Sequence, residues 1–462
     1  MIPLTLAEVA AATGGRLHGA PAYARVTAAP AIDSRTVEPG ALFVALRGEH
    51  VDGAEFAAAA VAAGAVGVLA DRPLGVPTVV VPEVVSALGR LARAVLDQLP
   101  SAAVIGVTGS SGKTSTKDML AVLLAGIGPT VAPAGSWNNE LGLPLTVLRA
   151  QPTTRHLVLE YSARGVGHIA ALCAVAPPRI GIVLNVGTAH VGVFGSRQNT
   201  ARAKGELVEA LGPGGLAVLN ADDPVVAAMA TRTAAAVRTV GTGPGVDVAG
   251  RDVRLDSAGR PGFRLVIGAG SAPVQLRLHG AHHVGNALAA AAVALELGLG
   301  LPEVAAALGA AKAVSRWRME VTDTPEGVRV VNDAYNANPE SMRAALEALI
   351  AMACPPSGTS RRSWAVLGPM AELGAAAPAA HAEVGRIAVA LGIDRVLAVG
   401  EPARPIAEAV ESAGGVALAV ADVPAAAELL RAAVAPGDVV LVKASRAAGL
   451  ERIAAALLEG AS

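Results

Sequence analysis

Residues 103–116 read Ala-Val-Ile-Gly-Val-Thr-Gly-Ser-Ser-Gly-Lys-Thr-Ser-Thr, and no other stretch narrows the fold so far. An apolar run leads into a Gly/Ser turn and then into helix-compatible residues. That order predicts a buried strand, a tight loop and a helix start. Gly109 and Gly112 allow the backbone to turn so that successive N–H groups face an anion. The helix beginning near Lys113 adds its positive end. Lys113 can reach the β- and γ-phosphates of a nucleotide, and the Thr114 hydroxyl can face Mg²⁺. Val107 stands five positions before Gly112, where strict Walker A spacing has glycine. An ordinary Gly/Ser loop is the plain alternative. The strand before, the helix after and the Gly-Lys-Thr ending favour a nucleoside triphosphate site made by Thr108, Gly109, Ser110, Ser111, Gly112, Lys113, Thr114 and Ser115.

A chain of 462 residues holds two to four domains at about 100–200 residues each. Hydrophobic residues make up 53% and aromatic residues 2%, so the cores are expected to be Ala, Val, Leu and Ile. A formal net charge of −1 and the lack of a long basic run argue against nucleic acid as the main partner. Cys173 and Cys354 are far apart and show neither disulfide nor zinc spacing, which fits a reducing cytosol. The first residues lack the basic start of a signal peptide. Residues 119–139 carry no charge, but Gly126, Gly128, Pro129, Pro133 and Gly135 interrupt them too often for a membrane span. They read instead as a helix, a turn and a short strand. A soluble cytoplasmic protein, not inserted in a membrane, is the expectation.

Three α/β units are expected. Residues 1–100 place strands at Leu42–Ala45, Val66–Leu69 and Thr78–Val81, with a helix at Glu55–Ala63. Residues 101–313 begin with the phosphate loop and continue with strands at His156–Glu160, Ile180–Leu184 and Leu216–Leu219. Such alternation implies a mostly parallel sheet covered by helices on both faces. Between Asp247 and Gly280, Gly-rich turns separate short alternating strands, which predicts antiparallel hairpins. Residues 314–462 resume the alternation, with strands at Val328–Val331, Trp364–Leu367, Val396–Val399 and Val439–Val442. This third unit reads as Rossmann-like, with a mobile loop at Pro355–Ser363.

Several polar residues follow these strands, where open α/β sheets bind ligands. Glu160 could share Mg²⁺ with Thr114, or be a surface carboxylate. His190, in Asn185-Val-Gly-Thr-Ala-His190, reads alone as a solvated loop histidine, and Lys204 as a solvated face residue of a helix. The loop Asp333-Ala-Tyr-Asn-Ala-Asn-Pro339 follows a buried strand and is suited to function. It is equally suited to start a helix capped by Asn338 with Pro339 in first position, and both can hold together. Arg316 and Arg318 lie at the boundary of the second and third units, within reach of a γ-phosphate if the units close.

With these segments in view, the chain resembles the Mur ligases over its whole length. Asp33-Ser-Arg-Thr36, Leu42-Phe-Val-Ala-Leu-Arg-Gly48 and Asp52-Gly53 resemble the family's uridine-nucleotide domain, which implies Ser34 and Arg35 as substrate residues. Thr108–Thr114 matches the family's own phosphate loop, which accounts for the departure from strict Walker A. Ser136-Trp-Asn-Asn-Glu-Leu-Gly-Leu-Pro144 resembles its substrate loop, with Asn138 and Asn139 as paired amides. Glu160, His190 and Lys204 fall where the family places its metal site. His282-His-Val-Gly-Asn286 resembles the adenine-side motif, and the Asp333–Pro339 and Lys443-Ala-Ser-Arg446 segments resemble the C-terminal domain. Asp-Ala-Tyr-Asn-Ala-Asn-Pro points to the branch that adds a dipeptide. The branch adding a third amino acid usually shows Tyr-Ala-His there, and its diaminopimelate form carries an Asp-Asn-Pro-Arg absent here.

Four positions depart from the pattern. Tyr161-Ser162 replaces an apolar residue and Gly, Pro369 a common Asp, Ala54 a frequent His and His283 a frequent Asn.

What the resemblance implies is ATP-dependent amide ligation through an acyl phosphate. UDP-N-acetylmuramoyl-tripeptide would supply the carboxylate and D-alanyl-D-alanine the amine. ATP and Mg²⁺, two ions being expected, would be the cofactors. Thr114, Glu160, His190 and a carbamylated Lys204 would hold the metal, with Lys113, His190 and Lys204 as the catalytic set. Asn286, Arg318 and Asp333 would complete the ATP site; Tyr335, Asn336 and Asn338 would meet the substrate. A monomer is expected. The alternatives are a Mur ligase adding one amino acid, a folylpolyglutamate synthase, which should lack Asp33-Ser-Arg, and a nucleotide-gated binding protein, which would need no metal set.

Overall fold

The run Ala103–Thr108 is buried along its whole length and becomes an inner strand of a nine-stranded sheet. Burial on both faces is what an all-apolar strand in a parallel sheet requires. The structure, a computed structural model, describes every residue except 188–190, 356–359 and 460–462, and not the side chains of 191 and 193. His190 and the middle of the loop expected at 355–363 therefore lie outside the described residues.

In this central sheet Ala103–Thr108 pairs in parallel with His156–Glu160 on one side and Ile180–Val183 on the other. Thr130–Val131 closes one edge beyond His156–Glu160. Leu216–Asn220, Ala236–Gly241 and Val248–Leu255 extend the other side in parallel. The chain thus leaves its first strand to one side and returns on the other. That reversal opens a crevice at the carboxyl ends of the strands, and the phosphate loop occupies it. Pro261–Ile267 and Gly270–Gln275 complete the sheet as the expected antiparallel hairpins.

The third unit is a six-stranded sheet. Glu320–Asp323 pairs antiparallel with Arg329–Asn332, and Val439–Lys443, Ser363–Leu367, Arg395–Val399 and Ala417–Val420 follow in parallel. Apolar clusters cover both of its faces. The first unit holds a four-stranded sheet, Arg16–His18, Thr78–Val80, Gly67–Ala70 and Leu42–Val44 in spatial order, and a small pair Leu4–Thr5 with Arg25–Val26. Its helix Val84–Leu96 packs on Gly142–Val147 of the central unit, and one apolar cluster runs from Leu6 and Leu88 to Leu143 and Tyr161.

The helix expected at Glu55–Ala63 differs at its start. Asp52 accepts a hydrogen bond from the Ala54 N–H at 3.0 Å, and the chain makes a 3₁₀ turn over Gly53–Phe56 before the α-helix Ala57–Ala62. A short carboxylate before the helix offers its amide a local partner and tightens the first turn.

Candidate active site

Gly112 carries the phosphate loop into the helix Lys113–Ala125 with φ of 82°, a left-handed value that favours glycine. A Cβ there would stand 2.4 Å from Oδ1 of Asn286, so the loop and the His282–Asn286 segment meet at van der Waals limits. The loop is tied down from the neighbouring strand's end. The Ser111 N–H donates to Asn185 Oδ1 at 2.9 Å, Asn185 Nδ2 returns a bond to the Ser111 carbonyl at 3.2 Å, and the Gly187 N–H donates to Ser110 Oγ at 2.9 Å. Thr108 Oγ1 donates to the Tyr161 carbonyl at 2.8 Å, and Lys113 Nζ to the Gly109 carbonyl at 2.7 Å.

Around this loop lies a cleft of about 510 Å³. Ser110 to Ser115, Asn138, Asn139 and Asn286 of the central unit line it, facing Arg318, Asp333, Tyr335, Asn336 and Asn338. Arg318 reaches across: its guanidinium donates to Thr114 Oγ1 at 3.3 Å and Ser136 Oγ at 3.2 Å, and stacks on Tyr335 at 4.2 Å. Its Nε is buried without a partner. Asn338 Nδ2 donates to the Ser110 carbonyl at 3.2 Å while its Oδ1 caps the helix Pro339–Ala353. The expected helix cap is therefore present, and the same side chain ties the segment to the phosphate loop. Asp333 binds the Met319 N–H at 3.0 Å and pairs with Lys443 at 2.6 Å. These carboxyl-end loops come from adjacent strands of the third sheet, as the crevice rule requires.

Glu160 and Lys204 sit behind the phosphate loop rather than on the cleft wall. Glu160 is fully buried, not a surface carboxylate. Its Oε2 accepts from Asn138 Nδ2 at 3.3 Å, while Oε1 has no partner. A buried carboxylate oxygen without a donor is costly unless a cation satisfies it, so the position fits a metal. Lys204, expected alone to be a solvated face residue, is only 3% exposed on the helix Arg197–Glu209. Burial, reinforced by the Lys113 charge, holds its ammonium well below the usual lysine range. Among the described residues no group of three or more His, Cys, Asp or Glu is poised for a metal.

Ser34 and Arg35 do not join this cleft. Arg35 lies exposed on the first unit and pairs with Asp33 at 2.7 Å. Ser136, which nothing in the sequence singles out within Ser136–Pro144, also belongs to the cleft; its hydroxyl is 2.7 Å from that of Thr114. Tyr161, a departure from the family pattern, turns away from the site, and its hydroxyl donates to the Ala176 carbonyl at 2.5 Å.

A phosphate loop at a sheet's switch point, with an arginine and a polar loop from a second sheet closing over it, defines an enzyme that uses a nucleoside triphosphate. Family models agree with that class. The Mur ligase family, catalytic domain matches residues 31–102, the Mur ligase middle domain 107–294, and the Mur ligase, glutamate ligase domain 317–446. The chain belongs to the Mur ligase family and is an ATP-dependent ligase. It is 50% identical to UDP-N-acetylmuramoyl-tripeptide–D-alanyl-D-alanine ligase of Mycobacterium bovis, over 99% of this chain and 98% of that protein. The crystal structure of MurF from Acinetobacter baumannii superposes with a TM-score of 0.88 at 31% identity, covering 99% of each chain. MurF ligase from Thermotoga maritima in complex with ADP gives 0.80 at 30% identity, over 94% of this chain and 98% of that one.

Proposed function

We propose that this chain joins D-alanyl-D-alanine to the terminal carboxylate of UDP-N-acetylmuramoyl-tripeptide, with cleavage of ATP to ADP and phosphate. The observation that carries the reading is the Asp333–Pro339 segment, whose pattern belongs to the dipeptide-adding branch, forming one cleft wall with the phosphate loop. The names of its relatives support it. The working division is 1–100 for the uridine nucleotide, with Ser34 and Arg35, 101–313 for ATP, and 314–462 for the dipeptide and for closure on ATP.

A carboxylate does not react with an amine at neutral pH, because its oxygen is a hopeless leaving group. Transfer of the γ-phosphoryl group to that oxygen makes an acyl phosphate. The dipeptide amine then adds to the carbonyl carbon, and the tetrahedral intermediate expels phosphate. The first step brings two anions together, and in the second the amine loses a proton as negative charge builds on the carbonyl oxygen and the departing phosphate, so fixed positive charge must face both. Lys113 and the loop N–H groups would hold the transferring phosphate, and the unpartnered Arg318 Nε is free to donate to it. Asn138 and Asn139 would orient the peptide, and Tyr335 and Asn336 the dipeptide. Asn286 would face the adenine. Asp333 holds Lys443 and the Met319 N–H, and so fixes Arg318. When bound, Mg²⁺ would neutralise the phosphate oxygens, held by Thr114, Glu160, His190 and Lys204. Lys204 would serve as a carbamate, since a cation would repel the metal and a buried neutral amine can react with CO₂. Closure of the third unit keeps water from the acyl phosphate. The enzyme would act as a cytoplasmic monomer.

The test is phosphate release with UDP-N-acetylmuramoyl-tripeptide and ATP, comparing D-alanyl-D-alanine with single amino acids. Release that requires the dipeptide is expected. Equal or faster turnover with a free amino acid would overturn the reading.

A further inference from the structure

Lys117 and Asp118 follow the phosphate loop by one turn and belong to none of the groups assigned above. Both are buried, at 2% and 8% exposure, and they form an ion pair. Burying two charges is expensive, and an apolar pair of similar volume is often as stable. Their contacts run outward from the helix in two directions. Lys117 Nζ donates to the Pro133 carbonyl at 2.8 Å, and Asp118 Oδ2 accepts from the Ser315 N–H at 3.2 Å.

Each contact holds a segment at the point where it leaves the helix, ahead of the anchors nearer the cleft: Ser136 against Thr114 in one, and the Trp317 and Met319 N–H groups on Glu320 and Asp333 in the other. Among the described residues, no backbone–backbone hydrogen bond outside helices and strands involves Pro133 to Trp137. That stretch leads into Asn138 and Asn139, and its Ser136 touches Thr114. Ser315 leads into Arg318, whose two neighbours, Trp317 and Met319, sit at φ of 58° and 50°. Non-glycine residues persist there only when their surroundings hold them. The contacts close a ring. Thr114 lies one turn before Lys117 on the same helix, Ser136 three residues past Pro133, and Arg318 three past Ser315. Arg318 donates to both Thr114 and Ser136.

We propose that the Lys117–Asp118 pair is a positioning device: Lys117 sets the Pro133–Asn139 loop and Asp118 sets the Ser315–Arg318 linker, so that both meet at Thr114. The kinetic part of this inference rests on the proposed ligase reaction; the positional part does not. A merely structural pair would lower stability when broken and leave the folded enzyme's kinetics alone.

Hydrogen–deuterium exchange on the full-length, ligand-free chain tests the positions directly. Lys117→Met should raise exchange at 141–143, whose amides donate to Asn139 at the end of the loop, and Asp118→Ala at 315–319, with protection of the strand Ala103–Thr108 unchanged. Because each single variant leaves a buried charge, the double variant K117M/D118N removes both charges while Asn keeps an acceptor for Ser315. It should restore protection at 315–319 and leave 141–143 raised. In steady state, Lys117→Met should raise KM for the uridine-nucleotide peptide, and Asp118→Ala should lower kcat, each by roughly ten- to a hundredfold, the usual cost of a misplaced reacting group. Unchanged exchange in both segments, or equal loss of protection everywhere, overturns the proposal. Wild-type protein with no dipeptide-dependent phosphate release would instead overturn the ligase reading, and the exchange result would still decide this one.

Discussion

Lys204 reads in the sequence as one more lysine on a helix face, and nothing in its spacing marks it. Its burial comes from the helix Arg197–Glu209 packing under the phosphate loop, a long-range fact that only a resemblance or a structure supplies. A lysine with an ordinary pKa of ~10.4 would repel Mg²⁺. Lys204→Ala should therefore lose most activity, and short-chain carboxylates should restore part of it by filling the vacated anion position. Lys113→Ala should lose roughly 10²–10³ in kcat, the usual cost of removing an electrostatic stabiliser of a transferring group. The same carboxylates should not rescue it, because the missing group is a cation. Full activity in Lys204→Ala would sink the carbamate. Another residue that the sequence left silent is His381, 1% exposed, whose Nε2 accepts the Met370 N–H at 2.9 Å and whose Nδ1 lies 2.7 Å from the Ala377 carbonyl. Burial lowers its pKa. The unfolded chain therefore binds a proton first as pH falls below about 6.5, and the native state loses stability through that range. His381→Gln should flatten this part of the slope in denaturant titrations between pH 7 and 5. An unchanged slope would mean that His381 does not contribute.

At the scale of elements, the strands with unbroken apolar runs were legible, because burial on both faces leaves few other readings of such runs. His156–Glu160 falls within the expected bounds, and most others within a residue or two. Missed strands carry the opposite signal. Ala236–Gly241 contains Arg238, Ala417–Val420 is an Ala-containing edge with Leu418 exposed, and Glu320–Asp323 is a polar edge. The last two are edge strands, which bury one face or less and need not look apolar; Ala236–Gly241 lies inside its sheet but is fully buried only at Val240 and Gly241. Caps were legible as well, since Asn-Pro before an apolar-periodic run is a local signal. The carbonyl that Asn338 would also bind was not legible, because Ser110 lies 228 residues away. The two roles separate by substitution. Asn338→Ser keeps a cap acceptor without a charge and should change stability by less than about 0.5 kcal/mol, while losing the donor to Ser110 and weakening turnover. Asn338→Ala should lose both, with about 1 kcal/mol of stability in denaturant unfolding. Equal stability losses in the two variants would show that the cap is not the source.

At the scale of the whole molecule, three sheets of independent topology must present their loops to one cleft, and the two junctions differ in kind. The first unit shares an apolar cluster with the central one, so their packing is continuous. Among the described residues the third unit meets the central one through polar reach, from Arg318, Asn338 and Ser315, through Met352 and Ala348 beside Gly259 and Gly280, and through a close backbone approach. Gly192, in the helix Val191–Phe194, faces the 372–374 turn. A Cβ on Gly192 would lie 2.4 Å from the Gly374 nitrogen and 2.6 Å from the Leu373 carbonyl carbon. Backbone atoms cannot swing aside as a side chain can, so a methyl group there must push the third unit away from the phosphate loop. Gly192 is exposed, and the added methyl displaces no core contact. Gly192→Ala should thus lower the thermal midpoint by a few degrees, from the overpacking and the loosened junction, while the chain still folds. It should also leave ATP binding by the central unit largely intact. Because Arg318 and Asn338 would no longer reach Thr114 and Ser110, kcat should fall by roughly tenfold or more. Calorimetric titration with ATP and steady-state phosphate release on the same preparation separate the two effects. Wild-type kcat in Gly192→Ala would mean that turnover does not need this approach of the two units.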